Sequence, residues 1–127
     1  MTYRPPVEEM LFTLDAVAGL KRSIEDDIYP DLSGELVATI LEEAGKFAAG
    51  RIAPLNKVGD RSGTPLKDGH VTMPQGWKEV YTAWAEGGWN ALPAKEEFGG
   101  QGLPALINAP CLEMWNAASL AFRFAIQ

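Results

Sequence analysis

Leu92-Pro93-Ala94-Lys95-Glu96-Glu97-Phe98-Gly99-Gly100-Gln101-Gly102-Leu103-Pro104 divides this 127-residue chain into two kinds of sequence. Before it the chain reads as helix, turn and helix. After it comes one long apolar segment. Glycine tolerates positive φ and close backbone approach, so Gly99, Gly100 and Gly102 mark a sharp structural turn. Leu103-Pro104 then restarts a helix, because proline suits the first helical position, where its missing N–H costs nothing. A glycine-rich turn that opens a helix can instead cradle phosphate. The spacing here is G-G-x-G with no preceding strand, which matches neither dinucleotide nor P-loop patterns and favours the structural turn.

Working outward, the residues on the N-terminal side are helical in period. Val7, Met10, Leu11, Leu14, Val17 and Ala18 share one face, and Leu20, Ile24 and Ile28 extend the stripe to Pro30. The expected helix spans Pro6–Asp27, with Gly19 either a break or tolerated inside it. Ser33 is an N-cap residue, and Glu35 suits the positive end of the helix dipole. A second helix is therefore expected over Ser33–Arg51, ended by Pro54, with Glu42 and Lys46 spaced as an i, i+4 pair. Gly45 and Gly50 within it mark close helix contact or exposed positions. Leu55–Pro74 reads as a loop carrying one small hairpin near residues 66–71, where Asp68-Gly69 is a two-residue turn signature.

A third helix is expected over Gly76–Glu86, with Trp77, Val80, Tyr81 and Trp84 on one face. Aromatics so spaced are ordinarily core; a stacking platform for flavin or bases is the sharper alternative. The fourth helix is expected over Pro104–Phe124. It is kinked by Pro110 or restarted by an Asn108 cap, and is apolar nearly all round. The fold class is all-α, a bundle of antiparallel or orthogonal helices in a single domain, residues 1–127. The apolar segment has no C-cap glycine, basic last turn or polar tail, as expected of a piece of a longer chain. Its uncovered faces predict a homo-oligomer.

Composition is ordinary for a globular domain, with 46% hydrophobic and 22% charged residues. The net charge of -6 argues against nucleic acid or an anionic membrane as partner. Cys111 is the only cysteine and His70 the only histidine. They sit in different elements with nothing to orient them, so no Cys–His pair is expected, and a zinc site fails for lack of ligands. No secretory h-region and no membrane-length apolar run is present, and a cytoplasmic protein is expected.

The chain resembles the N-terminal helical domain of the acyl-CoA dehydrogenases. The matching elements are Phe47-x-x-x-Arg51-Ile52-x-Pro54, Asp60-Arg61, Gly88-Trp89, Pro93 through Glu97-Phe98-Gly99-Gly100-Gln101-Gly102-Leu103-Pro104, and Glu113, in that order. The arm Tyr3-Arg4-Pro5-Pro6 through Val17, with Glu113-Met114-Trp115-Asn116, is most similar to the branch that includes 3-(methylthio)propanoyl-CoA dehydrogenase.

The resemblance implies α,β-desaturation of an acyl-CoA thioester. A glutamate base takes the α-proton, and the β-hydrogen leaves as hydride to FAD. It places the base and most flavin contacts in two further domains, so no catalytic, cofactor or metal residue is expected in these 127 residues. Glu96, Glu97 and Glu113 are not that base. The substrate-pocket residues it implies here are Phe122, Arg123 and Ile126, with Arg123 needing a carboxylate partner if buried. An electron-transfer partner is implied for the whole enzyme, and this chain alone is expected to be inactive and to bind no FAD. The competing reading is an acidic all-helical interaction or dimerisation module without catalysis.

Overall fold

The computed structural model describes residues 2–126, an all-α arrangement with one two-stranded hairpin. The N-terminal arm leads into α1 (Val7–Ala16), which buries Met10 and Leu14. The expected first helix is interrupted. Gly19 adopts φ 71°, a left-handed conformation that stops one helix and starts α2 (Leu20–Glu25) in a new direction. Val17, predicted on the buried face, falls at this break and is exposed.

α3 (Gly34–Phe47) begins as its cap predicts, with the Leu36 amide donating to Ser33 Oγ at 3.1 Å. Val37, Leu41, Ala44 and Gly45 line its buried face. Lys46 pairs with Glu43, at 2.6 Å, rather than with Glu42. Gly45 is a close contact, because a Cβ there would lie 3.2 Å from Val7 Cγ2; Gly50 faces open space.

The second helix does not end at Pro54. It widens into a π-helical turn over Ala48–Ile52, where the Ala53 amide donates to Ala48 O, and continues as α4 (Ala53–Ser62). Proline has no N–H and its ring collides with the carbonyl four residues back. The widened turn lets the chain pass Pro54, which becomes a first-turn residue of α4. Residues 55–62, expected as loop, are therefore helix.

The hairpin consists of β1 (Leu66–Lys67) and β2 (His70–Val71), antiparallel, with Leu66 opposite Val71. Asp68 and Gly69 have φ 52° and 78°, the two positive values that the tight hairpin turn requires. α5 (Trp77–Glu86) buries Trp77, Val80 and Trp84, while Tyr81 lies at the exposed edge of that face. Trp77 and Trp84 are core residues, as aromatics so spaced ordinarily are.

α6 (Ala105–Ala118) keeps Pro110 inside one helix, because Ile107, Cys111, Met114 and Trp115 are buried on both sides of it. The predicted single C-terminal helix breaks at Ser119, whose extended backbone (φ -162°, ψ 105°) caps α7 (Leu120–Ala125). Most of the apolar C-terminal segment lies in the domain's own core, including Cys111, Met114, Trp115, Ala118 and Phe122. Leu120 and Phe124 remain exposed.

Trp115 joins the layers. Its ring lies 6.3 Å from Phe47 of α3, 5.6 Å from Trp84 of α5 and 5.4 Å from Trp89 in the turn that follows. Trp115→Ala is expected to cost about 3–5 kcal/mol, read as a fall in the denaturation midpoint and loss of near-ultraviolet circular dichroism. Tyr81→Ala, at the exposed edge of α5, should change the midpoint little.

Candidate functional site

The glycine turn is closed on itself. Residues 96–98 form one 3-10 turn, after which Gly99 adopts φ 78°. The chain then folds back over residues 91–95. The Gly100 amide donates to Lys95 O at 3.1 Å and the Gln101 amide to Ala91 O at 3.0 Å. The Gly102 amide donates to Ala94 O at 2.8 Å and the Leu103 amide to Leu92 O at 2.9 Å. Gln101 Nε2 also donates to Gly88 O at 3.2 Å. A phosphate loop needs amides aimed at its ligand. Here four consecutive amides are spent within the turn, so the turn offers no cradle for a pyrophosphate. Gly100 is fixed by contact, because a Cβ there would overlap the Ala94 carbonyl.

Phe122, Arg123 and Ile126 come together on the last helix and its end. Ser119, buried, accepts from the Phe122 amide at 3.3 Å and donates to Asn56 Oδ1 of α4 at 3.4 Å. Phe122 is fully buried and meets Trp77 edge-on, with centroids 5.9 Å apart. Trp77 in turn packs on Gly59, where a Cβ would come within 2.9 Å of the ring. Ile126 is partly buried against the core. Arg123 is half-buried, and its Nε is buried without a hydrogen-bond partner among the described residues. Beside this junction lies a cleft of about 320 Å³ whose lining includes Asn56, Asp60, Trp77 and Ala121. Ala121, rather than Phe122, faces it.

Among the described residues the candidate ionisable groups lie apart, on the glycine turn, the hairpin and α6. Glu96, Glu97 and Glu113 are exposed. Glu113 lies at a cleft of about 390 Å³ between α1 and α6. Burial, and then the charge of Glu113, raise the Tyr3 phenol above its ordinary value. His70 is exposed on the hairpin. Burial pushes the Cys111 thiol up from 9.0 to about 12, so it is protonated near neutrality and not a nucleophile. Among the described residues no cluster of three or more His, Cys, Asp or Glu side chains could hold a metal. No described helix is long and apolar enough to cross a membrane.

These features define an all-α domain whose described residues are spent on packing and on one sealed turn. Its homologues are acyl-CoA dehydrogenases. Over 122 residues, 96% of this chain, it is 33% identical to 3-methylmercaptopropionyl-CoA dehydrogenase of Ruegeria pomeroyi. Over 107 residues, 83% of the chain, it is 26% identical to the broad-specificity linear acyl-CoA dehydrogenase FadE5 of Mycobacterium tuberculosis. The chain spans about a fifth of the length of these curated relatives, 21% and 18% respectively. No family model matches it.

Gly99→Ala should cost about 1–2 kcal/mol from left-handed backbone strain alone, since nothing lies within 4 Å of its Cβ position. Gly100→Ala should cost about 3 kcal/mol, because the Ala94 backbone must move; equal melting temperatures for the two variants would contradict the packing described. Cys111 should resist a thiol reagent in the folded chain and react fully once unfolded. Because folding favours its neutral form, its contribution to stability is complete below pH 9.0 and is lost as pH rises through about 12. Cys111→Ala should flatten that alkaline fall in the melting temperature.

Proposed function

We propose that this chain is the N-terminal helical domain of a flavin-dependent acyl-CoA dehydrogenase, an enzyme that desaturates the α,β bond of an acyl-CoA thioester. One observation carries the reading. Similarity to the Ruegeria enzyme runs through 96% of the chain, so arm, helices and turn match as one unit rather than as a shared motif. In this reading FAD and the glutamate base belong to parts of the whole enzyme outside these residues. The residues here fit neither, since the turn's amides are internally spent and Glu96, Glu97 and Glu113 are exposed.

What this domain contributes is one wall of the acyl pocket. Ile126 and the methylene stem of Arg123 present apolar surface at the end of α7, and Phe122 backs them from the core. Trp77 and Ser119 hold Phe122 in place, which keeps the wall rigid. A wall of this kind positions an acyl chain and excludes water without touching the reacting carbons. We place the whole enzyme in the cytoplasm, in fatty-acid metabolism, with an electron-transfer partner. A homo-oligomeric contact through the C-terminal segment would use Leu120 and Phe124, its exposed large apolar side chains.

The purified chain mixed with FAD and short or medium acyl-CoAs is expected to stay colourless and inactive. Stoichiometric flavin or turnover would overturn the assignment. A chimera in which the chain replaces the matching segment of the Ruegeria enzyme is expected to load flavin and turn over. In that chimera Ile126→Asp should raise the KM for acyl-CoA with flavin content unchanged. A folded, flavin-loaded chimera without activity, or one indifferent to Ile126→Asp, would remove the pocket role.

A further inference from the structure

The N-terminal arm, residues 2–6, lies on the domain outside any helix or strand. Tyr3, Pro5 and Val7 are partly buried, while Thr2, Arg4 and Pro6 alternate with them and are exposed. That alternation is the period of an extended chain with one side laid against a surface. Tyr3 and Val7 pack on the core. Pro5 and Val7 seat in a notch on α3 made by Gly45, where a Cβ would lie 3.3 Å from Pro5 Cβ and 3.2 Å from Val7 Cγ2. The main chain does little to hold the arm. Pro5 and Pro6 have no N–H. Among the described residues its one main-chain hydrogen bond is local: Pro6 O accepts from the Met10 amide at 3.0 Å, in the first turn of α1. Clefts flank the arm as well. Thr2 and Tyr3 border one of about 390 Å³ whose lining includes Ala49, Ala53 and Ala117. Pro5, Pro6 and Val7 border another of about 430 Å³ that reaches Glu42.

We propose that residues 2–6 are a releasable strap, which swings away from the Gly45 notch as a unit while the helices stay folded. A segment without main-chain bonds to the body, and loosely packed on both sides, belongs to the low-stability end of a fold. The glycine turn is the opposite case, since four of its amides are bonded internally. Side-chain insertion alone holds the strap, and the notch exists because Gly45 has no side chain to fill it. The two prolines restrict the arm when it is free, so re-docking loses less conformational entropy than a flexible arm would lose. Release joins the two flanking clefts into one groove along α3 and the π-turn. The occupant for which that groove is shaped is the arm itself, which closes it when docked.

The test is chymotrypsin cleavage of the Tyr3–Arg4 bond in the full 127-residue chain, read by mass spectrometry against a synthetic peptide of residues 1–9. The peptide sets the rate for a fully open arm, and cleavage of the chain tracks the open population when closing is fast. The chain should be cut about tenfold to a thousandfold more slowly than the peptide. Loss of residues 1–3 should leave the remainder helical by circular dichroism. Low urea should barely change this rate, because arm release exposes little surface, whereas cuts in the core should rise steeply with unfolding. Gly45→Leu fills the notch and should raise cleavage about tenfold or more with helicity retained. Gly50→Leu, at a position that faces open space, should not. Pro5→Ser, measured against a peptide of its own sequence, should also raise it and leaves every helix residue unchanged. Equal rates for chain and peptide would show an undocked arm and overturn the proposal. So would cleavage at Tyr3 that shares the urea dependence of the core cuts, or a wild-type rate in both Gly45→Leu and Pro5→Ser.

Discussion

Trp115 is the point at which the helices become one body. It sits on the buried side of α6 and meets rings from α3, α5 and the turn after α5. Rings at these separations and angles add specific quadrupole attraction to the burial of a large apolar surface. The arrangement carries a cost. The indole N–H groups of Trp77, Trp84 and Trp115 are buried without an acceptor among the described residues. Each forfeits a hydrogen bond that water would supply, a loss of about 1–3 kcal/mol. The core therefore accepts unpaired donors in exchange for dense aromatic contact. That exchange also explains why Pro110 persists inside α6, since the residues around it are held from outside the helix.

Backbone geometry supplies a second constraint at two places. At Pro54 the chain cannot continue a regular α-helix, yet Ile52 and Leu55 both belong in the core. The π-turn reconciles them, and α4 then brings Asn56 to Ser119 and Gly59 to Trp77. At the glycine turn, Gly100 lies against Ala94 too closely for any side chain. The turn is rigid because its amides are internally bonded, and that same saturation removes it as an anion site. One feature of the backbone thus fixes both the entry into α6 and what the turn cannot bind.

The end of α7 has a similar logic. Phe122 is read from the family resemblance as a pocket residue, and the fold places it in the interior under Trp77. A side chain so held shapes a surface from behind. Arg123 and Ile126 occupy the margin, both partly buried, with the Arg123 Nε buried and without a hydrogen-bond partner among the described residues.

The sequence by itself determined the fold class, the amphipathic faces of α3 and α5, the Ser33 cap, the Asp68-Gly69 hairpin and the sharp turn at Gly99-Gly100. These are local, set by side-chain period and by the φ values that glycine and asparagine-like residues allow. Ser119 was also legible in principle, as a capping residue before an apolar run. Tertiary structure decided the rest. Whether Gly19 breaks a helix depends on where α2 must pack, and the passage through Pro54 depends on core positions on both sides. The pairing of Lys46 with Glu43, the burial of Phe122 and the exposure of Val17 are likewise set by neighbours distant in sequence. Period shows which face of a segment is apolar; only packing shows which part of that face another segment covers.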